Sequence, residues 1–169
     1  MRVGQAFVCI YFFAIMTILG CSQSRAWDQI TFMVTDLSGD SKTAIVFKGE
    51  NVTYHEDYIR FEEGQGRDIQ RYTIFPQYAV EDNQYIYIPL ADSGGGTGIF
   101  FELQVIDKKT LITADYAPLG DRVQIKNISI LDDNTIAVKY EERSLYGEPG
   151  NIVTEHYEMH EGKLQSVDF

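Results

Sequence analysis

From Ile30 to the C-terminus, apolar and polar residues alternate in short β-branched and aromatic runs, each bounded by Gly, Asp, Asn or Ser. That period of two restricts the fold more than any other feature, because it places one face of a pleated strand toward a core and the other toward water. Ile30, Phe32 and Val34 alternate with Thr31 and Thr35, and Ala44 to Phe47 is a fully apolar second run. Val52 to Phe61 carries Tyr54, Tyr58 and Phe61, and Tyr72 to Phe75 follows the Gly64-Gln65-Gly66 loop. Tyr85 to Ile88 runs into Pro89, which is expected to stop the strand because proline has no N–H for a ladder. Phe100 to Ile106 is a strong strand, followed by an Asp107-Lys108-Lys109 turn and the run Thr110 to Thr113. Val123, Ile125, Ile128 and Ile130 lead into Asp132-Asp133-Asn134, from which Ile136, Val138 and Tyr140 return as a hairpin. Val153, Tyr157 and Met159 form a second hairpin with Leu164 and Val167 through Glu161-Gly162-Lys163. No window of about twelve residues sustains a helical apolar stripe. The expectation is an all-β fold, an antiparallel sandwich or barrel-like architecture of about ten strands, in one domain over residues 30–169.

The long apolar run lies before that domain. Arg2 is a short positive start, Ala6 to Leu19 is apolar, and Ser22, Gln23, Ser24 and Arg25 follow. A stretch of about fourteen residues is too short to span a bilayer, which needs about twenty, and it has the parts of a secretory signal. Its end, Ile18-Leu19-Gly20-Cys21, resembles the lipobox of bacterial lipoproteins. That resemblance implies a signal peptide over residues 1–20, a diacylglycerol on the Cys21 thiol, and a tether over residues 21–29. Ser22 in that family favours sorting to the outer membrane, so the implied address is the bacterial cell envelope, with the protein facing the periplasm or the cell surface. Ser24, Arg25 and Ala26 also suit cleavage by a general signal peptidase after Ala26, which would leave a free Trp27 amine. Cys9 lies in the leader and Cys21 at the junction, so the folded part carries neither thiol nor disulfide.

Charge narrows the partners. The chain carries 14 basic and 25 acidic residues. The leader holds Arg2 and no acid, so 149 residues with a net charge of −12 remain without it. A surface that negative is repelled by nucleic-acid phosphates and by anionic lipid, which excludes both as direct ligands and leaves a basic partner or simple solubility.

Candidate sites are few. Ser93-Gly94-Gly95-Gly96-Thr97-Gly98 has the composition of a phosphate cradle, but it feeds the strand from Ile99 rather than a helix, so it reads as a glycine-rich hairpin. This loop, the strand beginning Ile99-Phe100-Phe101, and Leu119-Gly120-Asp121-Arg122-Val123 together resemble an uncharacterised group of bacterial secreted and lipoprotein domains. The resemblance spans about residues 85–169 and implies no activity. Asp36-Leu37-Ser38-Gly39-Asp40 alternates oxygen ligands as a calcium loop does, yet Ser41 and Phe47 stand where the turn glycine and the bidentate glutamate belong. His156, Glu158 and His160 share a strand face and are the clustered transition-metal ligands, although residues two apart lie about 6.5–7 Å from one another along a strand. An exposed polar face is the simpler reading of the three.

No cysteine serves as a nucleophile, no serine sits in a nucleophile elbow, and no cofactor is implied. Asp121 and Arg122 read as a turn with an ion pair at a strand start. Two functions follow. One is a non-catalytic, lipid-tethered binding or protein-interaction domain, engaging a basic partner such as a lysozyme, or another envelope component, through an acidic, aromatic-rich surface. The other is an envelope hydrolase using clustered carboxylates in a cleft.

Overall fold

Thirteen strands form where the alternation places them, in a computed structural model that describes residues 27–35, 42–94, 96, 98–143 and 148–168. They are β1 (Thr31–Thr35), β2 (Lys42–Val46), β3 (Val52–Tyr54), β4 (Ile59–Glu63), β5 (Gln70–Ile74), β6 (Val80–Glu81), β7 (Tyr85–Ser93), β8 (Phe100–Asp107), β9 (Ile112–Asp121), β10 (Gln124–Ile130), β11 (Ile136–Arg143), β12 (Pro149–His160) and β13 (Lys163–Val167). Among the described residues the only helical pieces are two 3₁₀ turns, Trp27–Gln29 and Pro76–Tyr78. The fold is all-β, as the period of two requires. The expected Val52–Phe61 strand is split by a turn in which the His55 N–H donates to the Tyr58 carbonyl, and β6 is a two-residue addition. Both raise the count above ten.

The first sheet runs β2-β1-β9-β8-β7-β5-β4-β3, with β6 beside β7. Every pairing in it is antiparallel except β1 with β9, which meet at Thr31 and Ile112. This sheet curls into a half-barrel, and a four-stranded antiparallel sheet, β10-β11-β12-β13, closes over its convex side as a sandwich. Sheets of this size bury both faces only when each face finds an apolar partner. Phe32, Phe47, Ile74, Ile88, Leu90 and Ile106 fill the concave interior. On the other face, Tyr87, Leu103, Val105 and Ala117 pack against Ile128, Ile136, Val138 and Tyr157 of the smaller sheet.

β7 belongs to both cores, which is why Tyr85 to Ala91 is apolar without alternation. The expected stop at Pro89 is wrong. β7 continues through it to Ser93, and Pro89 is buried opposite Leu103. The reason lies in the ladder. The Pro89 carbonyl accepts the Phe75 N–H at 3.3 Å, so its missing N–H falls on the same edge, where β6 ends and β5 takes over along β7.

Both expected hairpins form. β10 and β11 are joined by the Asp132–Asn134 turn, and β12 and β13 by Glu161 and Gly162, at φ 50° and 78°. Two consecutive left-handed residues match the right-handed twist of the flanking strands.

Candidate functional site

One end of the intersheet core opens into a cleft of about 450 Å³. Its walls come from both sheets: the β6–β7 turn with Tyr85 and Tyr87, the β10–β11 turn, and the end of β12 at Glu158 and Met159. Three carboxylates line it, Asp82, Asp133 and Glu158, and among the described residues its lining includes no lysine, arginine or histidine, although the Lys108 and His156 charges act on Asp82 and Asp133 from nearby.

Each turn holds its aspartate by a local device. Asp82 closes an Asx turn in which its Oδ1 accepts the Gln84 and Tyr85 N–H groups at 2.7 and 2.6 Å, and its Oδ2 accepts the Tyr87 hydroxyl at 2.8 Å. Burial by itself raises the Asp82 carboxyl, but these N–H groups, the Tyr87 hydroxyl and the nearby Lys108 charge hold it below its ordinary range. The same contact, with burial, pushes the Tyr87 hydroxyl up, so Tyr87 stays a neutral donor. Asp133 accepts the Thr135 N–H at 3.0 Å, which also holds its carboxyl low. The fully buried Thr135 hydroxyl lies 3.5 Å from Glu158. Lys108, the cation beside this end, is turned to Glu81 at 3.2 Å and to the Asp82 carbonyl at 3.0 Å. The two held aspartates keep the cleft negative at neutral pH, while Tyr85 and Tyr87, which also line it, are buried in the intersheet core.

A second acidic group lies inside the half-barrel. Leu90 pairs with Glu102, and Asp92 with Phe100, so Asp92 and Glu102 are diagonal neighbours on the concave face. Gln104 donates to Glu102 at 2.5 Å, and its carbonyl accepts the Thr113 hydroxyl at 2.6 Å. Burial, opposed by the Gln104 hydrogen bond and reinforced by the Asp92 charge, pushes Glu102 up to about 7. Burial raises Asp92 as well.

The residues singled out in the sequence are not gathered in one place. His156, Glu158 and His160 follow one another along the outward face of β12, and only Glu158 reaches the cleft. Among the described residues no three His, Cys, Asp or Glu side chains come together to hold a metal ion. Asp121 and Arg122 do form the expected ion pair. Cys21 and the Asp36–Asp40 loop lie outside the described residues.

Sequence reading missed Asp82, Asp133 and Tyr87 as one site. Asp82-Asn83-Gln84 ahead of the Tyr85 strand was visible as a turn signal, but its proximity to Asp133 was not. Glu102 and Gln104 were missed because, alternating with Phe101, Leu103 and Val105, they have the pattern of a solvated face. No family model, no curated protein and no solved structure matches this chain.

Proposed function

We propose that this is a lipid-anchored protein of the bacterial cell envelope, held by an acylated Cys21, whose β domain is a non-catalytic module that binds a basic protein such as a lysozyme. The observation that carries the binding reading is the cleft of Asp82, Asp133 and Glu158, which among the described residues has three carboxylates and no cation in its lining. A lysine or arginine from a partner supplies an opposite charge to these carboxylates. The formal net charge of −11 steers such a partner inward at low ionic strength.

Titration with a lysozyme tests this. Binding should weaken steeply with added NaCl, and Asp133→Asn combined with Glu158→Gln should reduce affinity by about tenfold, or about 1.4 kcal/mol. Unchanged affinity in that variant refutes the cleft as the binding site. The anchor is tested separately. Labelled fatty acid should enter the protein and fail to enter a Cys21→Ala variant.

A second reading, an envelope hydrolase, draws support from Asp92 and Glu102, a carboxylate pair on one concave face with Glu102 raised into the range of a general acid. Turnover of envelope glycans that is lost in Glu102→Gln is the result that would favour it over the binding module.

A further inference from the structure

β12 is longer than the strand that covers it. β13 pairs with it from His160 to His156 and ends at Val167, while β12 extends back to Pro149. In a two-residue hairpin the closing pair, here His160 and Lys163, exchanges both ladder bonds, and the alternation carries to Glu158 and His156. Thr154 and Ile152 come next in that alternation, so their N–H and C=O groups point along the same edge, past the end of β13. Among the described residues no strand pairs with them on that side. Ile152 is 62% exposed, more than any other large apolar side chain among the described residues. It pairs with Glu141, and Glu141 with Gln124, at the end of the small sheet away from the acidic cleft.

Two further observations set this edge apart. It borders a cleft of about 410 Å³, lined by Gly150 and Asn151 on one side and by Leu119, Gly120 and Val123 of the β9–β10 crossover on the other. A strand continuing the line of β13 along β12 passes over that cleft. The outermost strands elsewhere are guarded against such an addition. β2 starts at Lys42, β3 has three residues, β10 bulges around Lys126, and on β13 Asp115 takes the Leu164 N–H at 2.8 Å. Gly150 to Glu155 carries neither lysine nor proline. The register shift between Glu141 and Arg143 falls past Ile152, so Ile152 and Thr154 lie on the regular ladder.

We propose that the uncovered half of β12 is a docking edge for an extended basic peptide, which adds as a strand in line with β13 and sets an apolar residue beside Ile152. Backbone bonds to Ile152 and Thr154 supply the affinity of such an addition, and side chains at alternate positions supply its specificity. Charge selects the occupant. Glu142, Glu148, Glu155 and Asp168 border the edge, against Lys139 one strand in, while Arg143 is paired with Glu141. A strand bearing lysine or arginine complements that border. A second copy of this chain does not, because it brings the same acidic border and a net charge of −11. The edge shares no residue with the acidic cleft, so either assignment can fail alone.

The probe is a capped octapeptide of alternating lysine and valine, titrated into the purified protein by calorimetry and amide NMR. The amides of Ile152 and Thr154 should shift and exchange more slowly with solvent, while those of Asp82 and Asp133 stay in place. The same peptide N-methylated at every second residue loses its ladder donors and should bind about tenfold more weakly, as should its glutamate-valine counterpart. Ile152→Lys, which adds a guarding charge, should weaken binding by a similar factor. Thr154→Pro, which deletes an outward N–H without touching the β11 ladder, should do the same. Absence of binding at about 1 mM peptide overturns the proposal, as does equal affinity for the N-methylated peptide or parental affinity in Ile152→Lys. A dimer seen in sedimentation that Ile152→Lys abolishes, and that excludes the peptide, overturns it in favour of a second copy. Should Thr154→Pro fail to fold, Ile152→Lys and the peptide comparison decide the matter.

Discussion

Clefts open at both ends of the same intersheet core, and their charged groups differ in kind. At one end three carboxylates, Asp82, Asp133 and Glu158, line a cleft; at the other, Arg122 pairs with Asp121 and Arg143 with Glu141 beside an apolar wall of Phe75, Ile99, Phe101 and Ile125. Strand registers place them apart: Tyr85 opposite Asp107 and Ile130 opposite Ile136 mark the acidic end, and Asp92 opposite Phe100 and Gln124 opposite Glu141 mark the other. The strands between are apolar and common to both, and the charged groups sit in connections, as Asp82, Asp133 and Arg122 do, or near strand ends, as Glu158 and Arg143 do. Asp82 and Asp133 are held by the N–H groups of tight turns, whereas Arg122 is held by the crossover between sheets. Strands here build the platform, and chemical character is set where the chain turns.

Removing the shared platform should erase the distinction. Leu103 is fully buried midway along β8, and Leu103→Ala should cost about 2–5 kcal/mol in urea denaturation and weaken ligand responses at both ends. A loss confined to one cleft would show that the two ends are independently stabilised.

Glu102 tests whether the half-barrel interior is separate from both clefts. Its unfolded carboxyl ionises near 4.5 and its folded one near 7, so the folded state holds an extra proton between those values. Stability should fall as pH rises through that interval and level off above it, by about 3 kcal/mol at about 1.4 kcal/mol per pH unit. Glu102→Gln should remove most of that fall. The variant should be more stable than the parent at pH 8 and indistinguishable from it at pH 4, with lysozyme titration unchanged.

Asp82→Ala should affect one end only. It leaves the buried Tyr87 hydroxyl and two turn N–H groups without their acceptor, a loss of about 2 kcal/mol in thermal denaturation. Basic-partner binding should weaken with it. Because Asp82 is held below its ordinary range, the stability it contributes is present above that range and disappears as pH falls through its folded value.

The smallest effect is expected from Lys108→Ala. Its pair with Glu81 is exposed and worth at most about 1 kcal/mol. Deleting the cation beside the acidic end should strengthen a basic partner by about two- to threefold at low salt and leave the other end unchanged.

How far these sites could be read in advance depended on sequence distance. The Asp132-Asp133-Asn134 and Glu161-Gly162 turns were legible because turn chemistry is local to a few residues. The Asp121–Arg122 pair was legible for the same reason. Pro89 was misjudged because whether a missing N–H matters depends on which neighbour lies along that edge, and β5 and β6 meet there. Glu102 has the alternation of a solvated residue, yet the curl of the sheet turns its face inward.

By itself the sequence determined an all-β chain, its two C-terminal hairpins and its acidic balance, since strand period, turn preference and charge are properties of residues and their near neighbours. Only the tertiary structure decided that Asp82 and Asp133 line one cleft and that the Arg122 N–H donates to the Ile99 carbonyl. Asp82 and Asp133 are brought together by the packing of one sheet on another, and Ile99 and Arg122 by the β8–β9 register; the local pattern of each strand is equally compatible with other packings and registers.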